Sequence, residues 1–71
     1  MQAGMYEVTD PVLTNPVMVL QNRRLLKPGA TVRLVAGREL TPEGNVKLYS
    51  RGDLYLVSQE DFRTKFKWRD K

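Results

Sequence analysis

The clearest alternation of apolar and polar residues covers residues 31–36 and predicts a β-strand. Val32, Leu34 and Ala36 fall on one side of it, because successive side chains of a strand point to opposite faces. Residues 17–21 begin with the apolar run Val-Met-Val-Leu, which is typical of a strand buried on both faces. Both patterns indicate a sheet with an apolar core.

A hairpin is predicted further along the chain. Val46–Ser50 and Asp53–Val57 are short strand-like stretches separated by Arg51-Gly52, where glycine adopts the positive φ of a tight turn. Three leucines are expected to share the core-facing side of this hairpin: Leu48, Leu54 and Leu56.

Proline and glycine mark the connections. Lys27-Pro28-Gly29 predicts a type II turn, and Thr41-Pro42-Glu43-Gly44 predicts a turn within the polar loop 37–45. Asp10-Pro11 and Asn15-Pro16 interrupt the N-terminal region. We therefore expect residues 1–16 to be a poorly structured arm, with at most a short edge strand at residues 5–8, and residues 17–71 to form a single small β-barrel domain.

Two periodicities compete near the C-terminus. Ser58 precedes acidic residues as a helix N-cap does, which predicts one helical turn over residues 59–63 followed by extended chain through Trp68. Phe62 and Phe66 are four residues apart, so a helix reaching Phe66 is the alternative.

Together these elements predict a mostly β fold, either a small SH3-like barrel or a five-stranded antiparallel meander with one short helical turn near the C-terminus. The spacing of strands over residues 17–68 resembles that of SH3-like barrels. Leu40-Thr41-Pro42-Glu43-Gly44 and Val46-Lys47-Leu48-Tyr49 also resemble fragments of the plasmid-borne type II dihydrofolate reductases, which are SH3-like tetramers. Lys47 stands where that family has glutamine, and the order and spacing differ, so the resemblance implies the fold and not the folate chemistry.

Composition limits the chemistry. The 71 residues include no histidine and no cysteine, so we expect no enzyme, no cofactor and no metal site. No apolar run is long enough to span a membrane, and we expect a cytoplasmic protein without membrane partners. The net charge of +4 equals that of residues 62–71 alone, which carry five positive charges and one negative charge.

That C-terminal segment is the main candidate for binding. With a two-residue period its basic side chains fall on one face, and its aromatic side chains fall on the other, where Phe62 and Phe66 are expected in the core. The binding candidates on this segment are Arg63, Lys65, Lys67, Trp68 and Arg69. Arg23 and Arg24 form a second basic cluster, which would extend the same patch if the fold placed it alongside.

Two kinds of partner fit these residues. The first is another protein, bound through an edge strand or an aromatic patch by a small accessory, inhibitory or assembly factor, of the phage or mobile-element type by analogy. The alternative is nucleic acid, bound by the C-terminal basic ridge, with Trp68 or Tyr49 and Tyr55 stacking on exposed bases. Homo-oligomerisation through an exposed edge is a third outcome that the sequence leaves open.

Overall fold

The computed structural model describes residues 2–17 and 23–69, and 46% of the structure is β-strand. Within these residues, a five-stranded antiparallel sheet has the order β6-β5-β4-β1-β7, and β2 pairs with β3 in a two-stranded sheet. The elements in chain order are β1 (Gly4–Val8), β2 (Val12–Leu13), β3 (Leu25–Leu26), β4 (Thr31–Leu34), β5 (Val46–Ser50), β6 (Asp53–Val57), α1 (Gln59–Lys65) and β7 (Phe66–Arg69).

The predicted fold class is confirmed. The protein is mostly β with one short helix near the C-terminus, and β4, β5 and β6 follow one another as an antiparallel meander. A closed SH3-like barrel is not observed, because no ladder joins the outer strands β6 and β7 in the part of the chain that the structure describes. No helix within that part is long and apolar enough to cross a membrane.

β1 lies inside the large sheet, between β4 and β7. The backbone N–H of Val8 donates to the carbonyl oxygen of Ala30 at 2.8 Å. The backbone N–H of Thr9 donates to the carbonyl oxygen of Lys65, also at 2.8 Å. The predicted strand at residues 5–8 is confirmed, whereas its edge placement in a poorly structured arm is wrong. Local pattern could not reveal this, because β1 pairs with residues near the other end of the chain, Tyr6 lying opposite Trp68.

The hairpin of β5 and β6 has the predicted bounds. Its two-residue loop has positive φ at both positions, 52° at Arg51 and 83° at Gly52, as a type I′ turn requires. Ser50 pairs with Asp53 directly across this turn. The loop length therefore fixes the register of the whole ladder.

The same register separates the three leucines predicted to share one face. Leu48 lies opposite Tyr55, whereas Lys47 lies opposite Leu56 and Tyr49 opposite Leu54. Leu54 and Leu56 are thus on the other face from Leu48, and the shared core face is a wrong prediction. Leu48 is 0% exposed in the main core, and Leu56 is buried outside that cluster.

One apolar cluster forms the core between the large sheet, the β2–β3 ladder and α1. β4 contributes Val32 and Leu34, each 1% exposed, as the alternation predicts. The strand ends at Leu34, however, and Ala36 is exposed in a turn with Gly37 rather than on the core face. The core residues are Tyr6, Val8, Val12, Leu26, Val32, Leu34, Val46, Leu48, Val57, Phe62 and Phe66.

Both predicted glycine turns are present. In the first turn, the backbone N–H of Ala30 donates to the carbonyl oxygen of Lys27 at 3.2 Å, and Gly29 has a positive φ of 95°. In the second turn, the backbone N–H of Gly44 donates to the carbonyl oxygen of Thr41 at 2.9 Å. Of the strand predicted over residues 17–21, residues 18–21 lie outside the described residues. The short β2–β3 ladder was not predicted, because two residues are too few to show a period.

The helix α1 begins as predicted at Ser58, whose Oγ accepts a hydrogen bond from the N–H of Asp61 at 3.0 Å. It continues through Lys65, two residues beyond the helical turn predicted over residues 59–63. It ends one residue before Phe66, which the alternative prediction included in the helix. Phe66 then adopts extended backbone with φ of −132° and ψ of 152°, and β7 follows. The segment is therefore half helix and half strand.

Candidate binding surfaces

The C-terminal basic residues do not share one strand face. Arg63 and Lys65 lie on α1, whereas Lys67 and Arg69 lie on β7. A helix turns about 100° per residue, so the two-residue period that groups these four side chains applies only from Phe66 onward. The predicted continuous ridge is corrected to two short pieces on two different elements.

Two of these four basic side chains form ion pairs within the protein. Lys65 Nζ lies 3.7 Å from Asp61 Oδ1 one helical turn away, and Arg69 Nη1 lies 3.0 Å from Glu7 Oε1 on β1. Glu7 also lies directly opposite Lys67 in the sheet. Among the described residues, Arg63 makes no ion pair.

Arg23 and Arg24 lie at another part of the molecule. Arg23 Nε donates to the carbonyl oxygen of Thr14 at 3.0 Å, and the N–H of Arg24 donates to Thr14 Oγ1 at 2.9 Å. The neighbouring Asn15 forms a β-bridge with Leu56 on β6. β6 and β7 are opposite ends of the sheet order, so the structure does not join this cluster to the C-terminal one along the sheet.

Four aromatic rings pack where β1, α1 and β7 meet. The ring centroid of Tyr6 is 4.7 Å from that of Phe62 and 5.3 Å from that of Trp68, and Phe62 and Phe66 are 5.5 Å apart. The predicted core positions of Phe62 and Phe66 are confirmed, and burial raises the pKa of the Tyr6 hydroxyl. Trp68 stays 39% exposed at the rim of this cluster.

β7 is an edge strand whose outward hydrogen-bonding groups follow from the ladder. Val8 directs its N–H and C=O toward β4, and Thr9 directs its N–H toward β7. In an antiparallel sheet this alternation makes Lys67 and Arg69 the residues of β7 that bond to β1, with Trp68 directing its N–H and C=O away from the sheet. A further strand has a template there.

An apolar depression adjoins this edge. It lies between α1 and the sheet and is lined by Tyr6, Gln59, Phe62, Arg63 and Phe66. Trp68 borders it, since its ring meets Tyr6 edge-on at an interplanar angle of 74°. An extended segment along β7 therefore has an apolar recess and an unpaired guanidinium within reach.

A second surface was missed by sequence reasoning. It is a groove between the β3–β4 turn and the β5–β6 turn, and its charged lining residues are Lys27, Arg33 and Arg51. Arg33 lies opposite Met5 on β1 and Tyr49 on β5, which brings the three central strands together at the groove. These cations are far apart in sequence and form no cluster along the chain.

The fold and these two surfaces define a small mostly β protein without a metal-binding cluster of histidine, cysteine or acidic side chains in residues 2–17 and 23–69. No protein-family model matches the chain, and no similar protein was found among curated proteins or solved structures.

Proposed function

We propose that the protein is a non-enzymatic protein-binding module that adds an extended segment of its partner to the free edge of β7. The observation that carries this proposal is the outward-directed N–H and C=O of Trp68 beside an apolar depression. Strand addition takes affinity from such main-chain groups and specificity from side-chain pockets next to the edge. We further propose that it acts in the cytoplasm.

The surroundings of the edge define the segment that fits. The recess beside Phe62 and Phe66 accepts one apolar side chain of a bound strand. Arg63 lines the same recess without an ion pair in the described residues, and Lys67 is exposed on β7. The partner segment is therefore apolar at one position and acidic two residues away, on the same face, where Arg63 lies. The positions adjacent to the apolar residue point to the opposite face and are acidic toward Lys67. This charge pattern disfavours a second copy of this basic edge.

The alternative of nucleic-acid binding through the C-terminal ridge has less support. Lys65 and Arg69 are held by Asp61 and Glu7, and the remaining cations lie on different elements. A phosphate chain gains most from adjacent unpaired cations, because each neutralised phosphate releases counterions. The ridge offers few such positions.

The test uses a peptide of about seven residues with a central phenylalanine and two glutamates on each side of it, so that acidic side chains lie on both faces of the added strand. This length spans the edge with margin. Binding is followed by the fluorescence of Trp68, the only tryptophan of the chain, and by hydrogen exchange of its backbone N–H. The free N–H exchanges quickly at the edge and is protected when a strand is added.

Arg63→Gln and Lys65→Gln form a matched pair, because both remove a charge from α1 but only Lys65 has an acidic partner there. We expect Arg63→Gln to weaken peptide binding roughly fivefold, as for one ion pair of about 1 kcal/mol, and Lys65→Gln to leave it unchanged. Unprotected exchange at Trp68 in the presence of bound peptide would refute strand addition. Concentration-dependent size exclusion without peptide would instead assign the edge to a second copy.

A further inference from the structure

The groove between the β3–β4 and β5–β6 turns is positively charged and has no carboxylate in its lining. Lys27 comes from the first turn, Arg51 from the second, and Arg33 from β4 between them. In the described part of the chain, these three side chains make no ion pair or hydrogen bond, in contrast to Lys65 and Arg69. Their charge is free for an anionic ligand.

Two tyrosine rings lie among these cations. Tyr49 and Tyr55 both line the groove and are partly exposed, and neither hydroxyl makes a hydrogen bond within the described residues. Tyr55 also packs against the core, so part of its ring remains for a ligand, whereas Tyr49 lies on the outer face. They belong to opposite faces of the hairpin by register, so the groove bends around the end of the sheet where Ser50 Oγ donates to the carbonyl oxygen of Thr31 at 3.0 Å. A ligand in the groove meets rings on both sides of this end.

Apolar side chains complete the floor and rim. Met5 lies opposite Arg33 on β1, and Leu25 on β3 is 55% exposed. The groove thus combines cationic side chains with rings and aliphatic surface. This combination matches a flexible chain that carries regularly spaced negative charges and flat unpaired rings.

We infer that this groove binds single-stranded nucleic acid, with phosphates at Lys27, Arg33 and Arg51 and unpaired bases stacked on Tyr49 and Tyr55. A duplex fits less well, because its base faces are stacked within the helix and only its phosphates would be engaged. An acidic peptide satisfies the cations but supplies no flat ring at each charge. No lining residue of the groove belongs to β7 or α1, so this inference and the proposed strand addition are tested by different substitutions.

The test is fluorescence anisotropy with a labelled single-stranded thymidine oligonucleotide of about twelve nucleotides, a length within the range that one small single-strand-binding domain covers. Three phosphate contacts on a single strand predict a slope of about −2 in log K against log salt, so affinity falls roughly 20-fold between 50 and 200 mM salt. A duplex of the same length is expected to bind more weakly.

The variants separate charge from stacking. Arg33→Gln with Arg51→Gln is expected to reduce the slope to about −0.7, the value for one remaining contact. Tyr49→Leu keeps an apolar side chain but removes the ring, and we expect at least fivefold weaker binding at about the same slope. Lys65→Gln on α1, outside the groove, is the charge-matched control and leaves both quantities unchanged. Circular dichroism verifies that each variant is folded.

Three results would overturn the inference. The first is absence of binding at 50 mM salt to the unmodified protein. The second is an unchanged salt slope in the folded Arg33→Gln/Arg51→Gln variant, which would place the phosphates elsewhere. The third is displacement of the oligonucleotide by an equally charged glutamate peptide together with full affinity in Tyr49→Leu, which would assign the groove to an acidic protein segment.

Discussion

Replacing Gly4 with alanine tests how firmly the indole of Trp68 packs on the first strand. A Cβ atom at Gly4 would lie 2.6 Å from Trp68 Cη2 and 2.7 Å from Cζ3, whereas ordinary contact begins at 3.4 Å. The backbone φ of Gly4 is 140°, a conformation that residues with a side chain rarely adopt. The substitution therefore introduces both a steric overlap and backbone strain.

The expected loss follows from these two terms. Overpacking a fitted contact costs about 1–3 kcal/mol, and the low end applies because the indole is 39% exposed and can tilt. A residue with a side chain at strained φ adds about 1–2 kcal/mol. We expect Gly4→Ala to lower the free energy of unfolding by about 2–3 kcal/mol, a large fraction of the stability of a small domain.

The assay is urea unfolding followed by far-ultraviolet circular dichroism, in the parent protein and in a Trp68→Leu background. Leucine removes the ring over Gly4, so there Gly4→Ala should cost only the strain of about 1–2 kcal/mol. The double-mutant cycle then gives a coupling energy of about 1 kcal/mol. An equal cost of Gly4→Ala in both backgrounds would show that the indole does not lie over β1.

Three further predictions concern other parts of the fold. Ser58→Ala removes the cap of the Asp61 N–H and should lower the free energy of unfolding by about 1 kcal/mol in urea denaturation; no loss would contradict the cap. Thr14 is 2% exposed, and Thr14→Val leaves the backbone N–H of Arg24 without its acceptor. The free energy of unfolding should therefore fall by about 1–3 kcal/mol in thermal unfolding. An unchanged melting temperature would refute this hydrogen bond. Burial raises the pKa of Tyr6 above its ordinary 10.0, so the folded state holds this proton more tightly than the unfolded one; the resulting stabilisation is complete below pH 10.0 and disappears as pH rises through the raised pKa. Urea midpoints at about pH 9 and about pH 11 should therefore fall further in the parent than in Tyr6→Phe, and equal falls would contradict the shift.

Elements with local signals were predictable. Arg51-Gly52 sets a two-residue turn, and Ser58 starts a helix, because each acts on groups within a few residues. The position of β1 in the sheet was not predictable, because it depends on pairing between segments distant in sequence. The faces of the β5–β6 hairpin were predicted wrongly, because they depend on counting residues from the turn, and a shift of one residue moves every side chain to the other face.

The C-terminal segment, residues 62–71, has a helical and a strand period that lead to different predictions. Phe62 and Phe66 can reach the core in either conformation, so their burial does not distinguish helix from strand. The pair of Asp61 and Lys65, four residues apart, does favour helix and marks its last turn. This pair is the local signal that assigns Arg63 and Lys65 to the helix, and it divides the basic ridge at Phe66.

The segment with the highest density of basic residues in the sequence is not the surface where the fold leaves most cations without an ion pair. The C-terminal segment lies near Glu7 and Asp61, which neutralise two of its cations, whereas Lys27, Arg33 and Arg51 are dispersed along the chain and meet in a groove without a carboxylate. Free cations dominate counterion release. If the protein binds a polyanion, the salt dependence should therefore follow substitutions in the groove, and the more basic C-terminal segment should contribute less despite its composition.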